Sequence, residues 1–399
     1  MVSFITRAPR SRRTLIFGST MHVWSDLFFA LLVPLLPLMK EDMGLSFTQV
    51  GMLRSVFSGA TAILQVPAGL LAESAGEFWM LILGNMWVSA GLVAMAMAPV
   101  FLVLLLVSGI CGLGGGTQHP LASSMVSRAY DDRGRATAVG TVNFAGDLGK
   151  MLAPLVAGLI AIRFGWRETF LIVGLSGFVF MVATMFTRRS VDIGKPSAST
   201  AGSGDSGGED TSGARLGGFI TLSGVGVLDS AVRTSALVFL PFVMDAKDMG
   251  PGQISAMLFL LFGGGAFGKF VCGWLGDRMD TISLIWATKG LTALLLVATL
   301  ATPVLLMAPV MVLIGIGLNG TSSVLYATVA DLVPPGRRAR FYGFFYTTNE
   351  IGTVAAPLAY GLVADIFSLS TTMIVMGVAT AAILPASLTL RRHLKDVSF

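Results

Sequence analysis

The chain has 399 residues, of which 54% are hydrophobic and only 12% are charged, whereas soluble domains carry roughly 25% charged residues. So few polar groups cannot cover the surface of a soluble protein of this length, which excludes that class. The net charge of +5 does not indicate a nucleic-acid partner, because the basic residues collect on one side of the predicted membrane spans. The sequence therefore predicts a protein embedded in a lipid bilayer.

Twelve apolar runs are long enough to cross a bilayer as helices that rise 1.5 Å per residue. The first six cover residues 14–39, 46–72, 78–98, 99–123, 137–163 and 167–187. The second six cover residues 216–244, 252–275, 281–303, 305–330, 339–364 and 369–390. Between the two sets, residues 188–215 are rich in Ser, Gly and charge, a composition typical of a flexible linker. We expect an all-α membrane protein with a six-helix bundle over 1–187, a cytoplasmic linker over 188–215 and a second six-helix bundle over 216–399.

The loop charges predict the orientation of these spans. Lys and Arg concentrate at the two termini, in the linker and in the loops 128–135 and 335–340, whereas only Lys40, Arg163, Arg167 and Lys247 lie in loops on the opposite side. This bias predicts a multi-pass protein of the inner membrane with both termini in the cytoplasm. The first run follows a basic segment, as in a signal peptide, but it is too long and contains ionisable residues. We interpret it as a retained helix.

The chain repeats itself after a shift of 203 residues. The shift places Asp26 on Asp229 and Asp147 on Glu350. It also superimposes a set of glycines and prolines: Gly140, Gly149, Pro154 and Gly158 fall on Gly343, Gly352, Pro357 and Gly361. An internal period of this length indicates two copies of one large unit. All four acids lie near the middle of predicted spans, where an ionisable group indicates a functional site.

Each of these acids has a distinct set of neighbours along the chain. His22 and Asp26 are four residues apart and share a helix face, so they are candidates for proton coupling; a polar pair that packs helices together is the alternative. Glu350 has no basic residue three or four positions away, which makes it the favoured carrier of a transferable proton. A protonated structural glutamate is the alternative there.

Two further couples join opposite charges at helical spacing. Asp147 precedes Lys150 by three residues, and Asp229 precedes Arg233 by four. We interpret Asp147 and Asp229 as members of charge pairs that switch during transport, with static neutralisation as the open alternative. Arg54, Lys150 and Arg233 are candidates for contact with an anionic substrate, because cations in a low-dielectric cavity attract anions strongly. Lys289 is expected either to snorkel towards the membrane surface or to lie against the outer side of its bundle, and it is given no role.

Gln118 and His119 in the fourth predicted span are candidate substrate contacts. They precede Pro120, which lacks an N–H and clashes with the preceding turn, so this segment is either a hinge or a contact surface. Elsewhere the chain shows no metal-ligand spacing among its three histidines and two cysteines, no phosphate-binding Gly-rich loop and no nucleophile constellation. The sequence therefore predicts no metal, no cofactor, no disulfide framework and no enzyme activity.

Two loops at matched positions in the two halves carry a glycine-and-acid pattern. Its residues are Gly69, Glu73 and Gly76 between the second and third spans, and Gly273, Asp277 and Arg278 between the eighth and ninth. With the twelve-span plan, this pattern resembles the major facilitator superfamily over essentially the whole chain. The resemblance implies that the loops latch the cytoplasmic side. The chain departs from the family pattern at Asp280, where a glycine is usual, so ordinary interfacial carboxylates are the alternative for Glu73 and Asp277.

Within this superfamily the chain is most similar to the fosmidomycin-resistance group of efflux proteins. The matching residues are His22 to Asp26, Pro34, Pro37, Gly44 to Ser46, Gln118 to Pro120, Ser123 and Ser124. The resemblance implies the major facilitator fold and export of a small organic compound. The buried acids and cations indicate that this efflux is coupled to protons and that the compound is anionic. We expect a monomer whose partners are its substrate, protons and the lipid bilayer. The antiporter signature is incomplete, because Lys150 follows Gly149 in place of proline. Uptake of an organic anion such as a carboxylate by proton symport is the leading alternative, and a membrane sensor or assembly factor is the second.

Overall fold

The computed structural model describes residues 9–130, 132–191, 213–276, 278–333 and 338–394. These residues form helices and contain no strand. The first half contains α1 (Arg10–Met43), α2 (Phe47–Ala75), α3 (Glu77–Ala96), α4 (Phe101–Gly115), α5 (Gln118–Ala129), α6 (Asp132–Phe164), α7 (Trp166–Met185) and α8 (Arg188–Val191). The second half contains α9 (Gly213–Asp245), α10 (Pro251–Gly276), α11 (Thr281–Ala298), α12 (Val304–Leu332), α13 (Arg338–Ile366) and α14 (Leu369–Leu394).

Most of these helices can cross a membrane. Ten spans of the described chain are long and apolar enough, and the bent pair Phe47–Gln65 and Pro67–Ala75, which turns by 49°, makes an eleventh. The remaining predicted span, 339–364, lies in α13, whose 29 residues are long enough to cross a bilayer. The protein is therefore an all-α, multi-pass membrane protein, as predicted.

The fourth predicted span is divided in two. α4 ends at Gly115 and α5 begins at Gln118, with Gly116 and Thr117 between them. Pro120 consequently lies in the first turn of α5, where its missing N–H breaks no helical hydrogen bond. The interruption thus comes before the proline, at the glycine run, and not at Pro120 itself.

The helices group into two compact units. One contains Met1–Gly44 and Val56–Gly202, and the other contains Leu45–Ser55 and Ser203–Phe399. The first turns of α2 therefore belong to the unit formed by the C-terminal half. Most of the predicted linker, residues 192–212, lies outside the described residues; at its two ends the chain is helical in α8 and from Gly213.

Equivalent glycines bring helices into backbone contact in each unit. A Cβ atom on Gly149 of α6 would lie 2.2 Å from the carbonyl oxygen of Val23 in α1. A Cβ atom on Gly352 of α13 would lie 2.2 Å from the carbonyl oxygen of Val227 in α9. Only glycine permits such an approach, which brings the helices that carry the buried acids together. The internal repeat is thus present in the packing as well as in the sequence.

Candidate functional site

In the first unit, Asp26 is the centre of a buried charge cluster. Its Oδ2 lies 3.0 Å from Lys150 Nζ and 3.6 Å from His22 Nε2. Space for the carboxylate comes from Gly146 in α6, since a Cβ atom there would lie 2.4 Å from Asp26 Oδ2. The His22–Asp26 couple is therefore placed as the spacing predicted, and a cation from a second helix joins it.

Lys150 links this cluster to the second acid of the unit. Its Nζ lies 3.7 Å from Asp147 Oδ1, farther than from Asp26. The Lys150 side chain is 28% exposed and that of Asp147 is 15% exposed, whereas Asp26 is almost fully buried. The cluster thus combines a buried acid with a partly exposed cation.

In the second unit, Asp229 is neutralised by a residue of another helix. Lys289 Nζ of α11 contacts Asp229 Oδ1, and it also donates a hydrogen bond to the carbonyl oxygen of Gly317 at 3.2 Å. Arg233 Nε, the predicted partner, lies at 4.0 Å from Asp229 Oδ2. The side chain of Lys289 is only 2% exposed, so the expectation that it lies on the outside of its bundle is wrong. The apolar surroundings of α11 gave no signal of this pairing.

Glu350 lies among cations of the same unit. Its carboxylate interacts electrostatically with Arg233 and with Arg54, and Arg54 is buried. The Arg233 side chain is 31% exposed and donates a hydrogen bond to Ser230 Oγ at 3.3 Å. Two guanidinium groups and one carboxylate therefore share one region of the protein interior.

Tyr326 borders this region, although the sequence did not single it out. It interacts electrostatically with Arg233, Asp229 and Glu350, and its ring stacks on Tyr346 with centroids 4.7 Å apart. A tyrosine within the apolar run of α12 was the available signal, because a phenol in a membrane span needs a polar neighbour.

Three cations and two carboxylates make up this cluster: Arg54, Arg233, Lys289, Asp229 and Glu350. Clustered cations in an interior of low dielectric constant attract an anion strongly. Within the described part of the chain, no group of three or more His, Cys, Asp or Glu side chains is arranged to hold a metal ion.

Gln118 is fully buried and engaged with its own unit. Its Nε2 donates to the carbonyl oxygen of Leu81 at 2.8 Å, and its Oε1 accepts from Asn85 Nδ2 at 3.3 Å. These bonds join α3 to α5. Contact between Gln118 and a substrate therefore stays a prediction, and the side chain of His119 lies outside the described residues.

The first glycine-and-acid loop is followed by a second acid, Glu77, and the role predicted for Glu73 stays a prediction. Glu73 is exposed, whereas Glu77 is buried in the first turn of α3. Glu77 accepts a hydrogen bond from Ser124 Oγ at 2.5 Å and forms an ion pair with Arg128. Ser124 and Arg128 are four residues apart on α5, a spacing that presents both to one carboxylate. Gly69 lies within α2, and Gly76 immediately precedes α3 with a positive φ of 87°.

The second loop departs from the family pattern for a structural reason. Asp280 caps α11, since its Oδ2 accepts a hydrogen bond from the Ser283 N–H at 3.0 Å. The Ser283 hydrogen bonds lower the pKa of Asp280 below its ordinary value. Arg278 is exposed, packs over the Trp274 ring at 4.0 Å and donates to the Trp274 carbonyl oxygen. Gly273 is exposed in α10, and Asp277 lies outside the described residues.

Known proteins resemble this chain in sequence and in fold. The chain is 30% identical to the fosmidomycin resistance protein of Escherichia coli (strain K12), over 37% of this chain and 36% of that relative. It is 26% identical to the probable 4-methylmuconolactone transporter of Cupriavidus pinatubonensis, over 85% of this chain and 80% of that relative. The crystal structure of a bacterial homologue of the human lysosomal transporter Spinster, in an inward-facing and occupied conformation, superimposes with a TM-score of 0.84 at 18% identity and covers 98% of both chains.

The family assignment covers both halves of the molecule. The family described as Major Facilitator Superfamily matches residues 19–217 and 222–397. This match confirms the predicted resemblance and the two-bundle helical fold, and the relatives are transporters and not enzymes. The chain therefore belongs to the Major Facilitator Superfamily of membrane transporters.

Proposed function

We propose that the protein is a secondary transporter that moves a small organic anion together with a proton across the bacterial inner membrane, with both termini in the cytoplasm. The observation that carries this proposal is the cluster of Arg54, Arg233 and Glu350. In this cluster the Glu350 carboxylate can bind a proton, and it competes with an incoming anion for Arg54 and Arg233.

The sign of the coupling follows from competition for the same guanidinium groups. While Glu350 is ionised, its negative charge offsets part of the positive charge of Arg54 and Arg233 and repels a second anion. A proton on Glu350 removes that charge, so the arginines bind an incoming anion more tightly. By thermodynamic reciprocity, the bound anion also raises the proton affinity of Glu350. Proton and anion therefore bind together, which is the behaviour of a symporter.

The cluster around Asp26 provides a second place to hold a proton. His22 and Asp26 lie on one face of α1, and Lys150 connects them to the exposed end of the cluster. A proton shared by the imidazole and the carboxylate changes how firmly Lys150 is held. We propose that Lys150 moves between Asp26 and Asp147 during the cycle, whereas Asp229 keeps its partner.

Proton-coupled export is the second candidate. It is supported by the fosmidomycin resistance protein, which aligns with 37% of this chain. In export, proton and substrate bind alternately, so a proton on the protein must weaken substrate binding. That sign is opposite to the one expected for an anion that competes with Glu350.

The two candidates predict opposite pH changes in the same experiment. Purified protein is reconstituted into vesicles that contain a pH-sensitive dye, and a panel of small carboxylates and phosphonates, fosmidomycin among them, is added outside without a pH gradient. A symported anion acidifies the lumen, whereas exchange for protons makes it alkaline. An alkaline response would overturn the symport proposal in favour of export.

The role of Glu350 is tested in the same vesicles. Glu350→Gln mimics the protonated side chain, so we expect anion entry to continue while the lumen pH stays constant. Glu41→Gln, which neutralises an exposed acid at the end of α1, is the matched control and should respond as the unmodified protein does. A normal pH change in Glu350→Gln would rule this residue out as the proton carrier.

A further inference from the structure

A cavity of about 570 Å³ lies in the first unit, away from the charge clusters described above. It is lined by Arg10 from the start of α1, Met185 and Phe186 from the end of α7, and Arg188 and Arg189 from α8. Three guanidinium groups and two apolar side chains therefore surround one space. None of the described residues that line it is acidic.

The short helix α8 holds the arginines at this cavity. Val191 is buried in the core of the unit, and its carbonyl oxygen accepts a hydrogen bond from Thr14 Oγ of α1 at 3.2 Å. The guanidinium group of Arg188 lies 5.2 Å from the centre of the Trp79 ring in α3, within range of a cation–π interaction. Contacts with two other helices thus fix the position of α8.

The cavity is located where two membrane spans end. α1 and α7 are both long and apolar enough to cross a bilayer, so Arg10 and Met185 lie near the level of the lipid headgroups. Phe186 is 86% exposed, so an acyl chain beside α7 can contact it. The preference of basic residues for one side of a membrane is enough to explain why arginines occur here. It does not explain why they share a cavity with apolar side chains.

We propose that this cavity binds an anionic phospholipid. The guanidinium groups contact the lipid phosphate, for which their planar array of donors is well suited. Met185 and Phe186 pack against the upper part of the acyl chains. The site would thereby tie the ends of α1 and α7 to a specific lipid, a function independent of which substrate the protein carries.

The internal repeat supplies a matched control for the test. The shift of 203 residues places Arg188 and Arg189 on Arg391 and Arg392, which are exposed at the end of α14. Arg188→Gln/Arg189→Gln and Arg391→Gln/Arg392→Gln therefore remove the same charge at equivalent points of the two halves. Phosphatidylglycerol binding to each full-length protein in neutral detergent is then measured by native mass spectrometry, with phosphatidylcholine as the uncharged reference.

We expect the unmodified protein and Arg391→Gln/Arg392→Gln to retain phosphatidylglycerol in preference to phosphatidylcholine. In Arg188→Gln/Arg189→Gln this preference should fall by about thirtyfold, because each cation at the membrane surface contributes about fivefold. An equal loss in both pairs would show an effect of total charge and overturn the proposal. Retention of the full preference in Arg188→Gln/Arg189→Gln would overturn it as well.

A second measurement separates a lipid site from a phosphate site and does not depend on removal of the arginines. Phe186→Ser should weaken phosphatidylglycerol binding and leave the thermal midpoint in lipid-free detergent unchanged. Glycerol phosphate at the same concentration should not protect any of the proteins against heat. Protection by glycerol phosphate equal to that by phosphatidylglycerol would identify a free-phosphate site and refute the lipid proposal.

Discussion

At the scale of single residues, the two halves keep an acid at the same place but neutralise it differently. Asp26 and Asp229 are equivalent under the repeat, yet Asp26 pairs with Lys150 of α6 and Asp229 pairs with Lys289 of α11. The first cation is partly exposed and the second is buried. A buried cation has no water to replace its partner. We therefore expect Asp229–Lys289 to be a fixed pair and Asp26–Lys150 to be the one that opens.

The first prediction concerns Lys289. Lys289→Met leaves the Asp229 carboxylate buried without its closest cation, and we expect the protein to lose roughly 3 kcal/mol of stability, the cost of breaking a buried pair by removal of one partner. The measurement is thermal unfolding of the purified protein in detergent. Lys150→Met, at a partly exposed cation, should cost clearly less.

A double variant distinguishes loss of the pair from loss of packing. Asp229→Asn/Lys289→Met removes both charges, so most of the lost stability should return if the unpaired carboxylate was the cause. If the double variant is as unstable as Lys289→Met alone, the ion pair is not what makes Lys289 important.

The acids themselves were identifiable from the sequence, but most of their partners were not. Partners three or four residues away, such as His22 for Asp26, follow from helix geometry. Lys289 and Asp229 are on different helices, and no periodicity in the sequence encodes which helices are neighbours. The same limit applies to Glu77, because its ion-pair partner Arg128 lies on a different helix, α5.

At the scale of helices, the predicted spans are correct in place, and most of them are shorter than the helices. The first was predicted over 14–39 and is Arg10–Met43 in the structure. Apolar residues mark only the part of a helix that crosses hydrocarbon, whereas backbone hydrogen bonding continues into the polar region at each end. The division between α4 and α5 lies at Gly116 and Thr117, close to Pro120, where a hinge was one of the two predicted alternatives.

The second prediction tests the close contact between α1 and α6. Gly149→Ala places a Cβ atom against the Val23 carbonyl oxygen, and this atom cannot move without a shift of the helix backbone. We expect a loss of about 1–3 kcal/mol, typical of overpacking in a tight interface. Thermal unfolding in detergent measures the effect.

Gly140→Ala is the control on the same helix. No atom lies within 4 Å of a Cβ built on Gly140, so this substitution should be neutral or gain up to about 1 kcal/mol from the higher helix propensity of alanine. Equal effects of the two substitutions would mean that propensity, and not the contact with α1, determines the need for Gly149.

At the scale of the whole molecule, the repeat predicted two bundles that are consecutive in the sequence. In the structure, one short segment of the first half belongs to the unit of the C-terminal half. Residues Leu45–Ser55, which open α2, pack with the unit of the C-terminal half. Gly51 and Gly361 allow this contact, since Cβ atoms there would meet the carbonyl oxygens of Pro357 and Phe47 at 2.1 and 2.4 Å. The sequence shows where small residues are, but not which helix they face.

Asp365 caps the beginning of α2 within that unit. Its Oδ1 accepts a hydrogen bond from the Phe47 N–H at 2.8 Å, and its Oδ2 accepts one from the Thr48 N–H at 2.7 Å. The first N–H groups of a helix have no partner inside the helix, and a carboxylate there also meets the positive end of the helix dipole. An acid on α13 thus caps a helix that is more than three hundred residues distant in the sequence.

The third prediction follows from this cap. Asp365→Ala frees both N–H groups, so the start of α2 should separate from α13 more often. A helix cap contributes about 1 kcal/mol, which corresponds to roughly a fivefold rise in the population of the separated form. Modification of Thr48→Cys by a membrane-impermeant maleimide measures that population. Asp365→Asn keeps one acceptor oxygen and should give an intermediate rate, while Glu41→Ala, at another exposed acid, should leave the rate unchanged.

The two native cysteines show whether any increase is local. Cys111 and Cys272 are buried, so they react only if the bundles themselves open. A faster reaction at Thr48→Cys alone would mean that Asp365 holds the first turns of α2 in place. If Cys111 and Cys272 accelerate in parallel, the substitution has loosened the whole protein and Asp365 has no specific role at α2. If no cysteine reacts faster in Asp365→Ala, the packing at Gly51 and Gly361 suffices to hold the helix without its cap.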